Sequence, residues 1–359
     1  MGRSITFGRT TVTDDSDCYV IAEIGHNHQG SLEKALALIT AAAGCGANAV
    51  KFQKRDNKSL YAQSTYQKPY DSENSFGATY GEHREALELG KAEYREMQKQ
   101  SQQLGVDFFA TAFDFKSADF LHEFNVPAYK IASGDLKNIP LVKYVAAFKR
   151  PMIISTGGAT MEDIQRAYDA IMPINPQLCI LQCTAAYPAE AEDLHLRVIT
   201  MFRETFTDAT IGLSDHYNGI NMAVVAYVLG ARVIEKHFTL NHTWKGTDHA
   251  FSLEPVGFTK MVRDLRRTRV SLGDGKKYVL TKETNPLIKM GKSLVAARDL
   301  EPGHVLTEAD IAIKSPAGGL PPYEIEKLIG KRVVRPLDSD QPFQFADVAE
   351  PQRVGVTAQ

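Results

Sequence analysis

Along the first ~280 residues, short apolar runs of strand length alternate with longer stretches whose apolar positions recur at helical spacing. The runs are 18–25 (CYVIAEIG), 49–54 (AVKFQK), 107–113 (DFFATAF), 128–133 (AYKIAS), 151–157 (PMIISTG), 179–184 (CILQCT), 210–215 (TIGLSD) and 233–239 (VIEKHFT). Between them lie amphipathic stretches such as SLEKALALITAAAGCG, with Leu32, Ala35, Leu36 and Ile39 on one face. Ser31 is placed to cap that helix and Gly46 to end it. Eight such units in this length predict an α/β fold of the (β/α)8 TIM-barrel type. A doubly wound open sheet is the rival, but the turn after the first run reads GHNHQG and lacks its glycine spacing.

Two stretches break the alternation. Residues 71–90 are longer than an ordinary connection between strand and helix and mix polar with aromatic residues, which makes them a candidate lid. Beyond the barrel (1–282), residues 283–292 read as a linker and 293–350 as a compact, mostly β module. Within it Pro302-Gly303 marks a turn, Thr307 with Asp310 suggests a capping box, and Pro321-Pro322 to Gly330 frames a short helix. So small a module has a marginal core and gains stability by docking.

Composition narrows the function classes. Hydrophobic residues make up 43% and charged residues 23%, with a net charge of -2 in 359 residues. That balance offers no basic field for nucleic acid or an anionic membrane. No apolar stretch is long enough to span a bilayer, and the N-terminal MGRSITFGRTTVTDD lacks the apolar core of a signal peptide. The cysteines are Cys18, Cys45, Cys179 and Cys183. The last two share one strand, where four residues span roughly 13 Å, beyond the ~7 Å that a disulfide allows between Cα atoms. Free thiols in a reducing cytoplasm are expected.

A TIM barrel builds its site at the C-terminal ends of its strands. Here those ends carry Glu23, Lys51 with Gln53, Thr111, Lys130 with Ser133, Ser155, Thr184, Ser214-Asp215-His216 and Glu235-Lys236-His237. Residues two apart on a strand share a face, so Lys51 goes with Gln53 and Glu235 with His237. A lysine between Val50 and Phe52 must be paired or bound to an anion. Structural bridges from Lys51 and Lys130 to Glu23 or Asp135 are one reading; a mouth for a phosphate and a carboxylate is the other. His216 and His237 close neighbouring strands and are candidate ligands for manganese, cobalt or zinc rather than calcium. Ser214, Asp215 and His216 are consecutive, point apart, and cannot form a catalytic triad. His26, His28 and His249 read as loop histidines, for which solvation is the ordinary state.

These residues and the stretches AEIGHNHQG, ANAVKFQK, PAYKIASGDLKNIPL, PMIISTGG, LQCTAAYP, IGLSDH, GARVIEKHFTL and KGTDHAFSLEP resemble the sialic acid synthase family over nearly the whole chain. That family includes N-acetylneuraminate, legionaminate and pseudaminate synthases. The tail is similar to the antifreeze-like (SAF) module that ends them and covers the partner's site in a domain-swapped homodimer. The resemblance implies condensation of phosphoenolpyruvate with N-acetylmannosamine or its 6-phosphate, with phosphate released by C–O cleavage. It implies that Lys51, Thr111, Lys130, Ser133, Ser155 and Ser214 hold phosphoenolpyruvate, and that Gln53, Asp135, Tyr187 and Asp248 contact the amino sugar. Glu23 is implied as the acid–base residue. His216 and His237 are implied as ligands of a divalent metal, usually manganese, with cobalt or magnesium as substitutes.

Two positions depart from the better-known bacterial pattern. Ala185 stands where that pattern has Asn after CT, and Lys314-Ser315-Pro316 stands where it has Arg before a Pro-Gly turn. One contact to phosphoenolpyruvate must therefore be missing or replaced. The partner's contact to the N-acyl group is not given by this pattern, and Lys314, the candidate substitute, lacks the planar fork of a guanidinium. KPYDSENSFGATYGEH and TWKGTDH look more like the animal type, which uses a 6-phosphorylated sugar. The alternatives are a legionaminate or pseudaminate synthase acting on a 2,4-diacetamido-trideoxyhexose, or another phosphoenolpyruvate–aldose synthase on the same barrel. A non-enzymatic carbohydrate- or ice-binding protein would leave the polar strand ends without a purpose.

Overall fold

Alternation of period two withdraws one face of a strand, but runs with no polar face are covered on both sides, as barrel strands are. The computed structural model describes residues 2–351, and its strands behave in this way. A hairpin of β1 (Ser4–Phe7) and β2 (Thr10–Thr13) comes first. It buries Ile5, Phe7 and Val12, with Phe7 against the ring of Tyr19 at 4.7 Å between centroids. Tyr19 opens the first barrel strand and donates its hydroxyl to Asp107 at 2.6 Å, so the hairpin packs at the N-terminal ends of the strands. The periodicity gave no sign of this hairpin, because each of its strands is only four residues long.

The barrel strands are β3 (Tyr19–Gly25), β4 (Ala49–Lys54), β5 (Asp107–Ala112) and β6 (Tyr129–Ile131), followed by β7 (Met152–Ser155), β8 (Leu178–Cys183), β9 (Thr210–Asp215) and β10 (Val233–His237). They close in the order β10-β3-β4-β5-β6-β7-β8-β9, all parallel. The predicted (β/α)8 barrel is therefore present, with strand bounds within two residues of expectation at every end. The helix after β3 runs Leu32–Gly44, capped by Ser31 as expected, and buries Ala35, Leu38, Ile39 and Ala42.

Contacts divide the chain after Gly273, earlier than the boundary expected at 282. The expected linker 283–292 is largely helical, Thr284–Met290, with its residues exposed. The tail pairs β11 (Ser293–Ala296) with β12 (Ile311–Lys314) and β13 (Arg332–Val333) with β14 (Val348–Ala349). Its own core gathers Leu294, Leu300, Leu306, Leu328, Val333, Leu337 and Phe343. Thr307 and Asp310 form the anticipated capping box, and Pro322–Lys327 is a 3₁₀ helix.

Candidate active site

One cavity of about 720 Å³ opens among the C-terminal ends of the barrel strands, and each strand contributes to its wall. The period of two decides which residues do so. Lys51 and Gln53 face in together, as do Glu235 and His237. Lys236 and Asp215, one residue out of phase, turn away and form their own buried pair at 2.9 Å.

At the floor lies a closed network of charges. Lys51 Nζ is 2.7 Å from Glu23 Oε2, 3.7 Å from Glu235 Oε2 and donates to Thr111 Oγ1 at 3.0 Å. Lys130 Nζ and Ser214 Oγ both donate to Glu235 Oε1, each at 3.0 Å. Gln53 Nε2 donates to Glu23 Oε1 at 2.8 Å. Lys51 is thus bridged to Glu23, one of the alternatives anticipated, while Lys130 is bridged to Glu235 rather than Asp135. Glu235 is legible in the sequence as a strand end that shares its face with His237. Only closure of β10 onto β3 brings it to both lysines.

The two carboxylates are driven apart in acidity. Burial raises Glu23, Glu235 adds to the rise, and Lys51 only partly opposes it. Burial would raise Glu235 too, but Lys130 and Lys51 outweigh it and hold its carboxyl below the ordinary range. A carboxyl with a raised pKa next to one that stays ionised suits the first to proton transfer.

Hydroxyls and backbone complete this side. Gly157 N donates to Ser133 Oγ at 2.9 Å, and Ser133 contacts Cys183 Sγ at 3.5 Å. A Cβ at Gly157 would lie 2.8 Å from that of Ala185 and 2.9 Å from Ser133 Oγ, so glycine is required for this approach. Ser155 Oγ is buried with no hydrogen-bond partner, a cost that an arriving ligand atom would remove.

Across the cavity His216 and His237 stand with ring centroids 5.3 Å apart. Nδ1 of His216 donates to the carbonyl of Thr184 at 2.8 Å, which leaves Nε2 as its lone-pair nitrogen. Nδ1 of His237 is buried without a hydrogen-bond partner, 3.7 Å from Asp248 Oδ2. Burial lowers both imidazoles to about 4, so they are neutral, the form that binds metal. These residues fit a divalent cation as two nitrogen donors. Among the described residues no group of three or more His, Cys, Asp or Glu is arranged for a metal, so substrate oxygen or water would complete its shell. Tyr187 covers the pair, 4.2 Å from His216 by centroids and half exposed.

All the anticipated site residues line this cavity except Asp135. Its carboxylate sits off the wall and accepts from Asn138 Nδ2 at 3.5 Å. The expectation of solvated loop histidines is corrected for His28 and His249, which are buried, and for His26, which lines the cavity. His28 Nδ1 accepts from Gly30 N at 3.1 Å, and His249 Nδ1 shares a hydrogen bond with Thr239 Oγ1 at 2.7 Å. Lys314, weighed as a substitute for Arg, is paired with Asp340 within the tail.

Arg55, Asn74 and Arg84 also reach the cavity and were not anticipated. Arg55 continues the alternation Lys51, Gln53, Arg55 past the end of β4, a signal the sequence did carry. Asn74 and Arg84 belong to the insertion 71–90, where a capping box of Thr79 and Glu82 starts a helix, Tyr80–Ala86. Asn74 Oδ1 accepts from Gly246 N at 2.9 Å, joining the insertion to the loop that carries Asp248.

Comparison with known proteins agrees with this geometry. The model of the NeuB family matches residues 38–277, and that of the SAF domain matches 291–349. A human N-acetylneuraminate-9-phosphate synthase is 42% identical over 324 residues, 90% of each chain. An N,N'-diacetyllegionaminic acid synthase of Legionella pneumophila is 34% identical over 322 residues, covering 88% of this chain and 90% of its own. The crystal structure of an N-acetylneuraminic acid synthetase from Leptospira borgpetersenii, in complex with citrate, superposes with a TM-score of 0.70 at 32% identity. It covers 80% of this chain and 96% of that one.

Proposed function

Because this chain belongs to the NeuB family and carries a SAF domain, we propose that it condenses phosphoenolpyruvate with N-acetylmannosamine or its 6-phosphate to a sialic-type sugar acid. The observation that carries this reading is the buried network of Glu23, Lys51, Thr111, Lys130, Ser214 and Glu235 facing a neutral histidine pair across one cavity. Lys51 and Lys130 offer ammonium groups to the phosphate and carboxylate of phosphoenolpyruvate, with Ser155 Oγ free to donate. These groups are already fixed in place, which is where electrostatic catalysis gains most. His216 and His237 would hold a divalent metal, manganese for preference, which polarises the acceptor's aldehyde oxygen when bound.

In the reaction the C3 carbon of phosphoenolpyruvate forms a bond to the sugar's C1, using the electron pair of its double bond. The aldehyde oxygen takes up a proton. Water adds at C2 and gives up a proton, and Glu23, with its raised pKa, is placed to relay it. The bond from C2 to the bridging oxygen then breaks, leaving the 2-keto acid and inorganic phosphate. Since three carbons are added ahead of the sugar, C6 of the acceptor becomes C9 of the product, so a 9-phosphate product requires a 6-phosphate acceptor.

The whole chain works as a homodimer in this reading, each SAF module covering the partner's cavity. Its cysteines, all free thiols, suit a reducing cytoplasm. No helix among the described residues is long and apolar enough to cross a membrane. The test is reaction in ¹⁸O-water, with phosphate release measured for N-acetylmannosamine, its 6-phosphate and 2,4-diacetamido-trideoxyhexoses. Unlabelled phosphate is expected; label in the phosphate would sink C–O cleavage, and no release with any acceptor would sink the condensation.

A further inference from the structure

Two guanidinium groups in the cavity wall have no anion of their own. Arg55 is only 7% exposed, and its guanidinium carbon lies 3.7 Å over the ring of Phe113. Its Nη2 donates to Gln53 Oε1 at 2.7 Å. Arg84 donates through Nε and Nη2 to the hydroxyl of Tyr80 at 3.0 and 2.9 Å. Neither makes an ion pair with a carboxylate among the described residues. Glu88, the acid that accepts from the Arg55 backbone N–H, is held by Lys54 at 2.7 Å. The lysines of the floor differ: each has its carboxylate.

Both guanidiniums also close on one imidazole. Arg55 Nη1 is 2.8 Å from Nε2 of His26, and Arg84 Nη1 is 3.4 Å from Nδ1. Burial, then repulsion by Arg55 and Arg84, holds His26 well below the ordinary histidine pKa and hence neutral. A neutral imidazole has one acceptor nitrogen, and a guanidinium only donates. The shorter contact takes that acceptor, so Arg84 Nη1 is left facing an N–H. Burial would raise the Tyr80 phenol, yet Arg84, Tyr61 and Arg55 together outweigh it and the phenol is made more acidic. The arginine draws on a neutral oxygen where an anion would serve better. Paired buried charge is tolerated, whereas two unpaired guanidiniums aimed at one cavity mark an anion site.

We propose that Arg55 and Arg84 together bind the phosphate monoester of the acceptor sugar, and so select a 6-phosphorylated N-acyl hexosamine over the free sugar. This rests on the condensation proposed above. Their position favours the acceptor over phosphoenolpyruvate as the source of the phosphate. Arg55 is bonded to the oxygen of the Gln53 amide, whereas Glu23, the partner of Lys51, is bonded to its nitrogen. Arg84 comes from the insertion whose Asn74 joins the loop of Asp248. The stacking of Arg55 on Phe113 fixes the plane of its fork, which leaves edge N–H groups for two oxygens of a phosphate.

The experiment measures kcat/KM for N-acetylmannosamine 6-phosphate and for N-acetylmannosamine in the full chain, alongside calorimetric titration with both sugars. Variants are Arg84→Ala, Arg84→Lys and Arg55→Gln, with melting curves to check folding; half-buried Arg84 carries the test if Arg55→Gln does not fold. The wild type is expected to favour the phosphorylated sugar, and Arg84→Ala to cut that preference by about tenfold or more through the acceptor KM. Arg84→Lys should keep part of it. Turnover by the wild type with no preference between the sugars would overturn the assignment. So would variants that raise the KM of phosphoenolpyruvate equally with both sugars while the preference stays, since the arginines would then hold phosphoenolpyruvate. If the wild type releases no phosphate with any acceptor, the condensation fails and calorimetry decides the arginines separately. Tighter binding of the 6-phosphate that Arg84→Ala weakens supports them; equal binding of the two sugars overturns them.

Discussion

Lys51 and Glu23 stand opposite each other on neighbouring strands of the barrel, Nζ and Oε2 2.7 Å apart, both nearly withdrawn from solvent. Such a pair contributes little net stability when intact, because desolvation offsets the attraction, but breaking one side leaves a buried charge uncompensated. Lys51→Met is therefore expected to destabilise the barrel by about 3–5 kcal/mol. The double variant Glu23→Gln/Lys51→Met should recover much of this loss, although neither protein should turn over. Calorimetric melting with activity assays checks both; a double variant less stable than Lys51→Met would contradict the pairing.

Glu23→Gln alone separates proton transfer from binding. Removing a negative charge beside an anion site should leave the KM of phosphoenolpyruvate unchanged or lower it. Turnover should nonetheless fall by roughly 10²- to 10⁴-fold, the usual contribution of a positioned acid–base group. A higher KM with kcat preserved would make Glu23 a binding residue instead.

His216→Ala and His237→Ala should each abolish metal-dependent turnover in a protein that keeps its melting temperature within a few degrees. Titration with manganese provides a readout independent of activity, and heat of binding should disappear in both. Retained binding in either variant would remove that histidine from the ligand set.

Gly157→Ala tests the wall behind Ser133. A methyl there would meet Ala185 Cβ at 2.8 Å and Ser133 Oγ at 2.9 Å, so one side must move. The KM of phosphoenolpyruvate should rise about tenfold, the equivalent of ~1.4 kcal/mol. An unchanged KM would place phosphoenolpyruvate away from this wall.

The tail offers a pH signature. Burial alone would raise the Asp310 carboxyl, but hydrogen bonds from His304, Thr307 and Arg298 outweigh it and hold it below the ordinary carboxylate range. A lowered folded pKa gives stability that is complete above the unfolded value of about 3.9 and is lost as pH falls through the folded one. The tail's melting temperature should therefore drop below about pH 4. Asp310→Asn should melt lower at neutral pH, by a cap's worth of about 1 kcal/mol, and should lose part of the acid sensitivity. Parallel pH profiles for the two proteins would refute the role of the carboxylate.

The sequence by itself determined the eight strands and which residues along a strand share a face. Both follow from local periodicity, and a period of two leaves Lys51 with Gln53 and Glu235 with His237 no choice of face. It also determined the capping box of Thr307 and Asp310, which is built from neighbours in the chain. Pairing across the site was decided by the tertiary structure alone. Lys130 could have met Glu23 or Asp135 on the sequence alone; barrel closure brought it to Glu235 instead, while Asp135 turned to Asn138. Arg84 and Asn74 were beyond reach of any pattern, since they come from a long insertion whose path depends on contacts distant in sequence. The fate of the histidines was likewise hidden: the placing of His26 between two arginines is a fact of packing, not of spacing.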